Sequence, residues 1–175
     1  MVGEGSDSPD RPQGNVILRE ATDADAEAIE TLDLGAASTP SLDEVREILT
    51  GLIRWQRDID HAVIDRRVVV ADVDGQIAAV AAYEYSINER TTEPYVGYRY
   101  LMVVAVDAGR QRSGIARVLL ESVFTEMAME GVTTVSWLVA PDNRESLAFS
   151  YNVFPEADET QGPDDRPYLR FTLSL

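Results

Sequence analysis

Along the chain the spacing of apolar residues switches between the strand and helix periods, and each switch marks an element. Val16-Ile17-Leu18-Arg19 reads as a short strand, and Thr22 followed by Asp23, Asp25 and Glu27 predicts an N-cap with acids in the first helical turn. That helix is expected to run to about Leu34 and to stop in Gly35-Ala36-Ala37-Ser38. A second helix begins after Pro40, where Ser41 and Glu44 have capping-box spacing, and Leu42, Val45, Leu49, Leu52, Trp55 and Ile59 give it one apolar stripe ending near His61. Arg67 to Val73 and Gln76 to Ser86 are β-branched or alternating runs split by Asp74-Gly75, which predicts a hairpin with a type I′ turn. Ile87 to Pro94 reads as a loop. Tyr98 to Val106 is the next strand, apolar almost throughout from Leu101, so it is expected to lie at the sheet centre with both faces buried. Ile115, Val118, Leu119, Val123 and Met127 set the inward face of a helix that Gly131 ends, with Arg117, Glu121, Glu126 and Glu130 outward. The chain continues with a strand from Thr133 to Val139, a helix from about Arg144 to Asn152 capped by Asp142 or Asn143, and a short strand near Ala157. An acidic turn around Gly162-Pro163-Asp164-Asp165 leads to a last strand from Tyr168 to Leu173. The order is β-α-α-β-β-β-α-β-α-β-β, an α/β fold.

Length and composition narrow the function classes. The 175 residues fit one domain, expected over residues 15–175, preceded by a flexible polar tail over residues 1–14. With 45% hydrophobic and 26% charged residues the composition is that of a soluble protein, and no apolar run reaches the roughly 20 residues that span a bilayer. The absence of cysteine excludes disulfides and thiolate chemistry, and a solitary His61 excludes a two-histidine metal centre, so a cytoplasmic protein without a metal is expected. A net charge of −16 argues against nucleic acid and allows a cationic small substrate. All fifteen basic residues are arginines, which removes Schiff-base lysines and the phosphate lysine of a Walker loop.

The segment Val106-Asp107-Ala108-Gly109-Arg110-Gln111-Arg112-Ser113-Gly114-Ile115-Ala116 joins the buried strand to the amphipathic helix. Gly109, Ser113, Gly114 and Ala116 let a ligand approach the backbone, and the first amides of the helix lack carbonyl partners, so they can face phosphate oxygens. Arg110, Arg112 and Arg117 form a basic island in an acidic chain. An ordinary strand-to-helix loop remains the competing reading.

Gln111, Gly114 and Ala116 fit the pattern of Gln or Arg, two residues, Gly, one residue, then Gly or Ala, and on it the segment resembles the GNAT superfamily of N-acetyltransferases. Val106 stands at the expected hydrophobic position five residues before Gln111, and the element order agrees over about Val16 to Leu173. The resemblance implies a GNAT-like mixed central sheet of about seven strands with flanking helices. It also implies acetyl-CoA as co-substrate, with its pyrophosphate on the backbone of Gln111, Arg112, Ser113, Gly114, Ile115 and Ala116. Pro141-Asp142-Asn143-Arg144-Glu145-Ser146 looks like the family's second pattern, Asn, two residues, then a small residue. It casts Asn143 at the pantetheine arm and Ser146 as the residue that lets the helix sit close, while Asn143 as a simple helix cap is the competing and compatible reading.

The chain departs from the family where a tyrosine usually stands, seven residues after the asparagine, to protonate the leaving thiolate: Ser150 has that register and Tyr151 is its neighbour. One helical step turns a side chain by about 100°, so a regular helix directs Tyr151 elsewhere. The resemblance further implies direct attack of a primary amine on the thioester in a ternary complex. The backbone N–H groups of Val104 and Val106, on the splayed strand, would meet the oxyanion. Glu84, a carboxylate in Ala81-Ala82-Tyr83-Glu84-Tyr85, is the first candidate for general base, against the alternative of an acid on a solvent face. Tyr98 and Tyr100 are candidates for the acceptor cleft. The expected partner is a small-molecule amine, with a homodimer left open and neither nucleic acid nor membrane involved. A non-catalytic GNAT-fold acyl-CoA-binding sensor or interaction module is the second reading, favoured by the missing tyrosine. An unrelated nucleotide-binding domain is the third, and it lacks both the Walker lysine and the first glycine of a dinucleotide loop.

Overall fold

The computed structural model describes residues 14–33, 51, 66–87, 94–154, 156–161 and 167–175. Within them run Val16–Glu20 (β1), Ala26–Glu30 (α1), Arg66–Val73 (β2), Gln76–Ile87 (β3), Pro94–Val106 (β4), Ile115–Met129 (α2), Thr134–Val139 (β5), Arg144–Val153 (α3), Glu156–Gln161 (β6) and Pro167–Ser174 (β7). Of the predicted helix over Leu42 to His61 only Gly51, which is helical, lies among the described residues; the segments 34–40, 88–93 and 162–166 lie outside them. The first helix is shorter at both ends than its sequence predicts: Asp23–Asp25 winds as a 3₁₀ turn before α1 begins, and α1 stops at Glu30 rather than near Leu34, because Thr31 leaves the helical conformation. β4 starts earlier than expected, at Pro94.

Asp74 and Gly75 both take positive φ, 54° and 86°, which is the type I′ turn their sequence predicts, and it closes the β2–β3 hairpin. The seven strands form one mixed sheet in the order β1-β2-β3-β4-β5-β7-β6. Every neighbouring pair is antiparallel except β4 and β5, which are joined through α2 and are parallel. The last hairpin inserts β7 between β5 and β6, so the C-terminal strand lies inside the sheet, directly beside β5, and β6 forms the edge.

The two faces of the sheet carry separate cores. On one face α2 buries Ile115, Leu119, Val123 and Met127 against Tyr83, Leu101, Val135, Trp137 and Phe171. Leu120 and Phe124 are also buried, while Val118, expected inward, is only half-buried, so the stripe is wider and rotated from the one the sequence predicts. On the other face Ile29 and Leu32 cover Val68, Val70, Val80, Ala82 and Val103. The entry to α1 is fixed by Asp25, whose carboxylate takes two hydrogen bonds of 2.7 Å from the Arg19 guanidinium. It also accepts from the Thr22 N–H (2.8 Å) and hydroxyl (2.9 Å).

Candidate active site

The parallel pair β4–β5 is short. Tyr98 lies opposite Thr134, the pairing ends at Leu101 opposite Trp137, and β5 continues to Val139 paired only with β7. On its other side β4 bulges at the same level. Ala82 lies opposite Val103 and Tyr83 opposite Leu101, which leaves Met102 as the extra residue. From Met102 onward β4 stays paired with β3 but parts from β5, and a gap opens between β4 and β5. The Asp107 N–H donates to Ala78 of β3 (2.9 Å), and amides alternate sides along a strand, so the N–H groups of Val104 and Val106 face the gap. The expectation that this run is buried on both faces holds for Leu101 and Val103 alone; Met102, Val104, Ala105 and Val106 are half-buried, because beyond the bulge one flank has no strand against it.

The chain leaves β4 through a loop whose backbone is shaped by its own polar groups. The Asp107 carboxylate accepts from the Gly109 N–H (3.0 Å), Ala108–Arg110 winds as a 3₁₀ turn, and the Ser113 hydroxyl donates to the Arg110 carbonyl. Gln111 is extended with an exposed side chain. Arg112 at φ 59° and Gly114 at φ 79° then both take the left-handed region, which for Arg112 costs on the order of 1 kcal/mol. The result presents the backbone at the entrance of α2, where Gly114 is the N-cap and offers no capping side chain to the first-turn amides, those of Ile115 and Ala116 among them. An anion would satisfy these amides and meet the positive end of the helix.

α3 starts beside the end of β5. Asn143 caps it, its Oδ1 accepting from the Ser146 N–H (3.1 Å). The inward face of α3 carries Asn143, Ser146 and Ser150 at spacings of three and four residues. Ser150 is fully buried and its hydroxyl has no hydrogen-bond partner among the described residues. Tyr151 is 60% exposed and lies edge-on to Phe171 at 5.0 Å, on a different side of a regular helix.

The arginines whose side chains are described sort into two sets. Arg19, Arg67, Arg99 and Arg117 each reach a carboxylate. Arg110, Arg112, Arg144 and Arg170 reach none among the described residues, in a chain with 31 acids to 15 bases. Arg110, Arg112 and Arg144 stand at the carboxyl ends of the parallel strands β4 and β5, around the entrances of α2 and α3. Arg144 in this set is missed by motif reading, because its meaning depends on the absence of a carboxylate partner.

On the face opposite α2 a polar row crosses the sheet beneath the gap: Glu84 of β3 lies opposite Tyr100 of β4, which lies opposite Ser136 of β5. The Tyr98 hydroxyl is hydrogen-bonded to Ser136 Oγ. Burial, reinforced by the negative charge of Glu84 and by Tyr98 and Tyr168, pushes the Tyr100 hydroxyl up to about 12, so it holds its proton more firmly than a free tyrosine and acts as a neutral hydrogen-bonding group. Tyr168 and Arg170 of β7 share this face, since the residues between and after them, Leu169 and Phe171, pack in the core on the α2 side. Neither was singled out by the sequence, and only the period-two alternation of Tyr168-Leu169-Arg170-Phe171 hints at their orientation.

A family model described as the acetyltransferase (GNAT) family matches residues 29–150. A solved GNAT-family structure from Desulfovibrio desulfuricans superposes with a TM-score of 0.74 at 19% identity, covering 91% of this chain and 99% of that one. The PaiA N-acetyltransferase of Thermoplasma acidophilum in complex with coenzyme A gives 0.66 at 13% identity, with 91% and 99% covered. An N-acetyltransferase from Staphylococcus aureus gives 0.62 at 16% identity, with 92% and 99% covered. No curated protein matches the chain. At these identities the structural likeness speaks for the fold.

Proposed function

The chain belongs to the GNAT acetyltransferase family, and from that premise we propose that it transfers an acetyl group from acetyl-CoA to a primary amine by direct attack in a ternary complex. The single observation that carries the reading is the gap between β4 and β5, flanked by an uncapped helix entrance and by arginines without carboxylate partners. Acetyl-CoA supplies an activated acyl group on a thioester. The residues fit such a ligand. The amides from Gln111 to Ala116, with Arg110 and Arg112, suit the pyrophosphate; Arg144 adds charge for a further phosphate; and the small residues Gly114 and Ser146 admit a close approach. The orphaned Ser150 hydroxyl suits a sulfur or a water beside it, because burying a hydroxyl unpaired costs about 1–3 kcal/mol that a ligand contact recovers.

The roles of the chain's own groups then follow from their directions. The Val104 and Val106 N–H groups meet the carbonyl oxygen as negative charge builds on it, held in place by the strand before the reaction begins. Glu84, half-buried on the acceptor face, takes the proton from the incoming ammonium, directly or through water. Tyr98 and Tyr100 line the acceptor side. With no tyrosine on the inward face of α3, the leaving group receives its proton through Ser150 and a water or from the acceptor itself.

Gly114→Asp tests the cofactor assignment, because it adds bulk and negative charge at the helix entrance. By calorimetry it should lose measurable coenzyme A binding at an unchanged melting temperature, while Gly114→Asn, which tolerates positive φ without charge, retains more of it. Equal affinity in wild type and a folded Gly114→Asp protein would sink the assignment.

A further inference from the structure

Arg170 has no carboxylate partner among the described residues and lies away from the phosphate-facing strand ends. It sits on β7 opposite Leu138, and Leu138 is the first residue of β5 beyond the last β4–β5 pair, so Arg170 stands level with the mouth of the gap. β5 alone separates them, at a strand spacing of about 4.8 Å. Its face is the acceptor face, shared with Tyr100 and Tyr168, and it is close enough to Tyr100 to influence the ionisation of that hydroxyl. Asp158 of β6 lies directly across from Arg170 in the sheet, yet no ion pair forms between them. Instead Arg170 Nη2 donates to the Thr160 hydroxyl (3.2 Å), which steadies the side chain and leaves its other N–H donors available. Glu84, on the far side of the gap, completes a bipolar arrangement: a carboxylate and tyrosine hydroxyls on β3 and β4, and an exposed guanidinium on β7.

We propose that the acceptor is a zwitterionic amine, an amino acid or a molecule with the same pair of groups, whose carboxylate is received by Arg170 while its amine is presented to Glu84 at the gap. This rests on the acetyl-transfer reading and narrows it to a substrate class. In the reaction the amine nitrogen forms the new C–N bond, the thioester C–S bond breaks, the ammonium proton leaves by way of Glu84, and the thiol carries away a proton. The substrate carboxylate is unchanged and acts as a handle. A guanidinium suits this role because its planar fork matches a carboxylate with two parallel hydrogen bonds.

Matched pairs differing only in the carboxylate test the proposal: phenylalanine with phenethylamine, leucine with isopentylamine, tryptophan with tryptamine, each assayed with acetyl-CoA by thiol release and product mass. In at least one pair the wild type should favour the amino acid in kcat/KM by about 10- to 100-fold, the scale of a charge-assisted contact. In Arg170→Gln that ratio should fall below about threefold, mostly through KM, and Arg170→Lys should restore part of it. Coenzyme A affinity by calorimetry checks that each variant is folded. Acetylation of the simple amines with no preference for the carboxylate, or a preference that survives Arg170→Gln, would overturn the inference and leave the transferase reading standing. Coenzyme A binding with no amine of either kind acetylated would overturn that reading, and the inference with it.

Discussion

Ser150 and Tyr151 stand side by side on α3 with opposite surroundings, and the contrast makes their roles separable. Tyr151 spends its ring on an edge-on contact with Phe171 and is largely in water, so Tyr151→Phe should leave kcat within about twofold of wild type. A loss above about a hundredfold, at an unchanged melting temperature, would identify it as the acid after all. Ser150 is buried without a partner, so Ser150→Ala should stabilise the ligand-free protein by about 1 kcal/mol while lowering kcat by less than about tenfold. Calorimetric melting together with steady-state rates reads both effects. Which way Ser150 turns was legible in the sequence, because the spacing from Asn143 through Ser146 keeps to one helical face. Arg144 and Arg170 were not legible. Their distinction is the lack of a carboxylate partner, a property of the folded charge distribution that no local pattern records.

At the scale of elements, the β1–α1 corner is the most tightly bonded polar junction described, and it makes a claim about pH. The Arg19 guanidinium beside Asp25, with the two donors of Thr22, holds the Asp25 carboxyl well below the usual carboxylate range despite its burial. A depressed carboxylate contributes stability in full above its unfolded value, near 3.9, and loses it as pH falls through the folded one. Asp25→Ala should therefore cost about 2 kcal/mol at pH 7 and progressively less below about pH 4, measured by denaturant unfolding across that range. A cost that stays constant down to pH 3 would mean that packing rather than charge holds the corner. The cap itself was readable from Thr22 and the acids behind it, but the role of Arg19 was not, since it lies on the preceding strand. For β4 the reverse holds. Its apolar run made the strand unmistakable and predicted a fully buried one. The bulge at Met102 and the parting from β5 are set by register with two neighbours, and they open the part of the strand that the candidate site uses.

Over the whole molecule, element order and the hairpin turn could be read from periodicity and punctuation, because each depends on residues close together in sequence, whereas the mixed sheet was implied only by the resemblance. The insertion of β7 between β5 and β6 could not be read, and it is this insertion that brings Tyr168 and Arg170 beside β5 on the face opposite α2. Among the described residues no helix is long and apolar enough to cross a membrane. The arrangement separates two chemistries across one sheet: unpaired arginines and two helix entrances at the carboxyl ends of β4 and β5, and a carboxylate with tyrosines on the face opposite α2, with the gap as the passage between them. That division suits a protein that brings an anionic acyl donor and an amine together, and a binding module would need only the first half of it. The most direct measurement is therefore turnover: the protein with acetyl-CoA and a panel of primary amines, followed by thiol release and by the mass of the product. The expected result is saturable thiol release matched mole for mole by an acetylated amine, with the rate lowered by at least tenfold in Glu84→Gln. Coenzyme A binding by calorimetry with no acetylated product from any amine would contradict it and identify the protein as a GNAT-fold acyl-CoA-binding module.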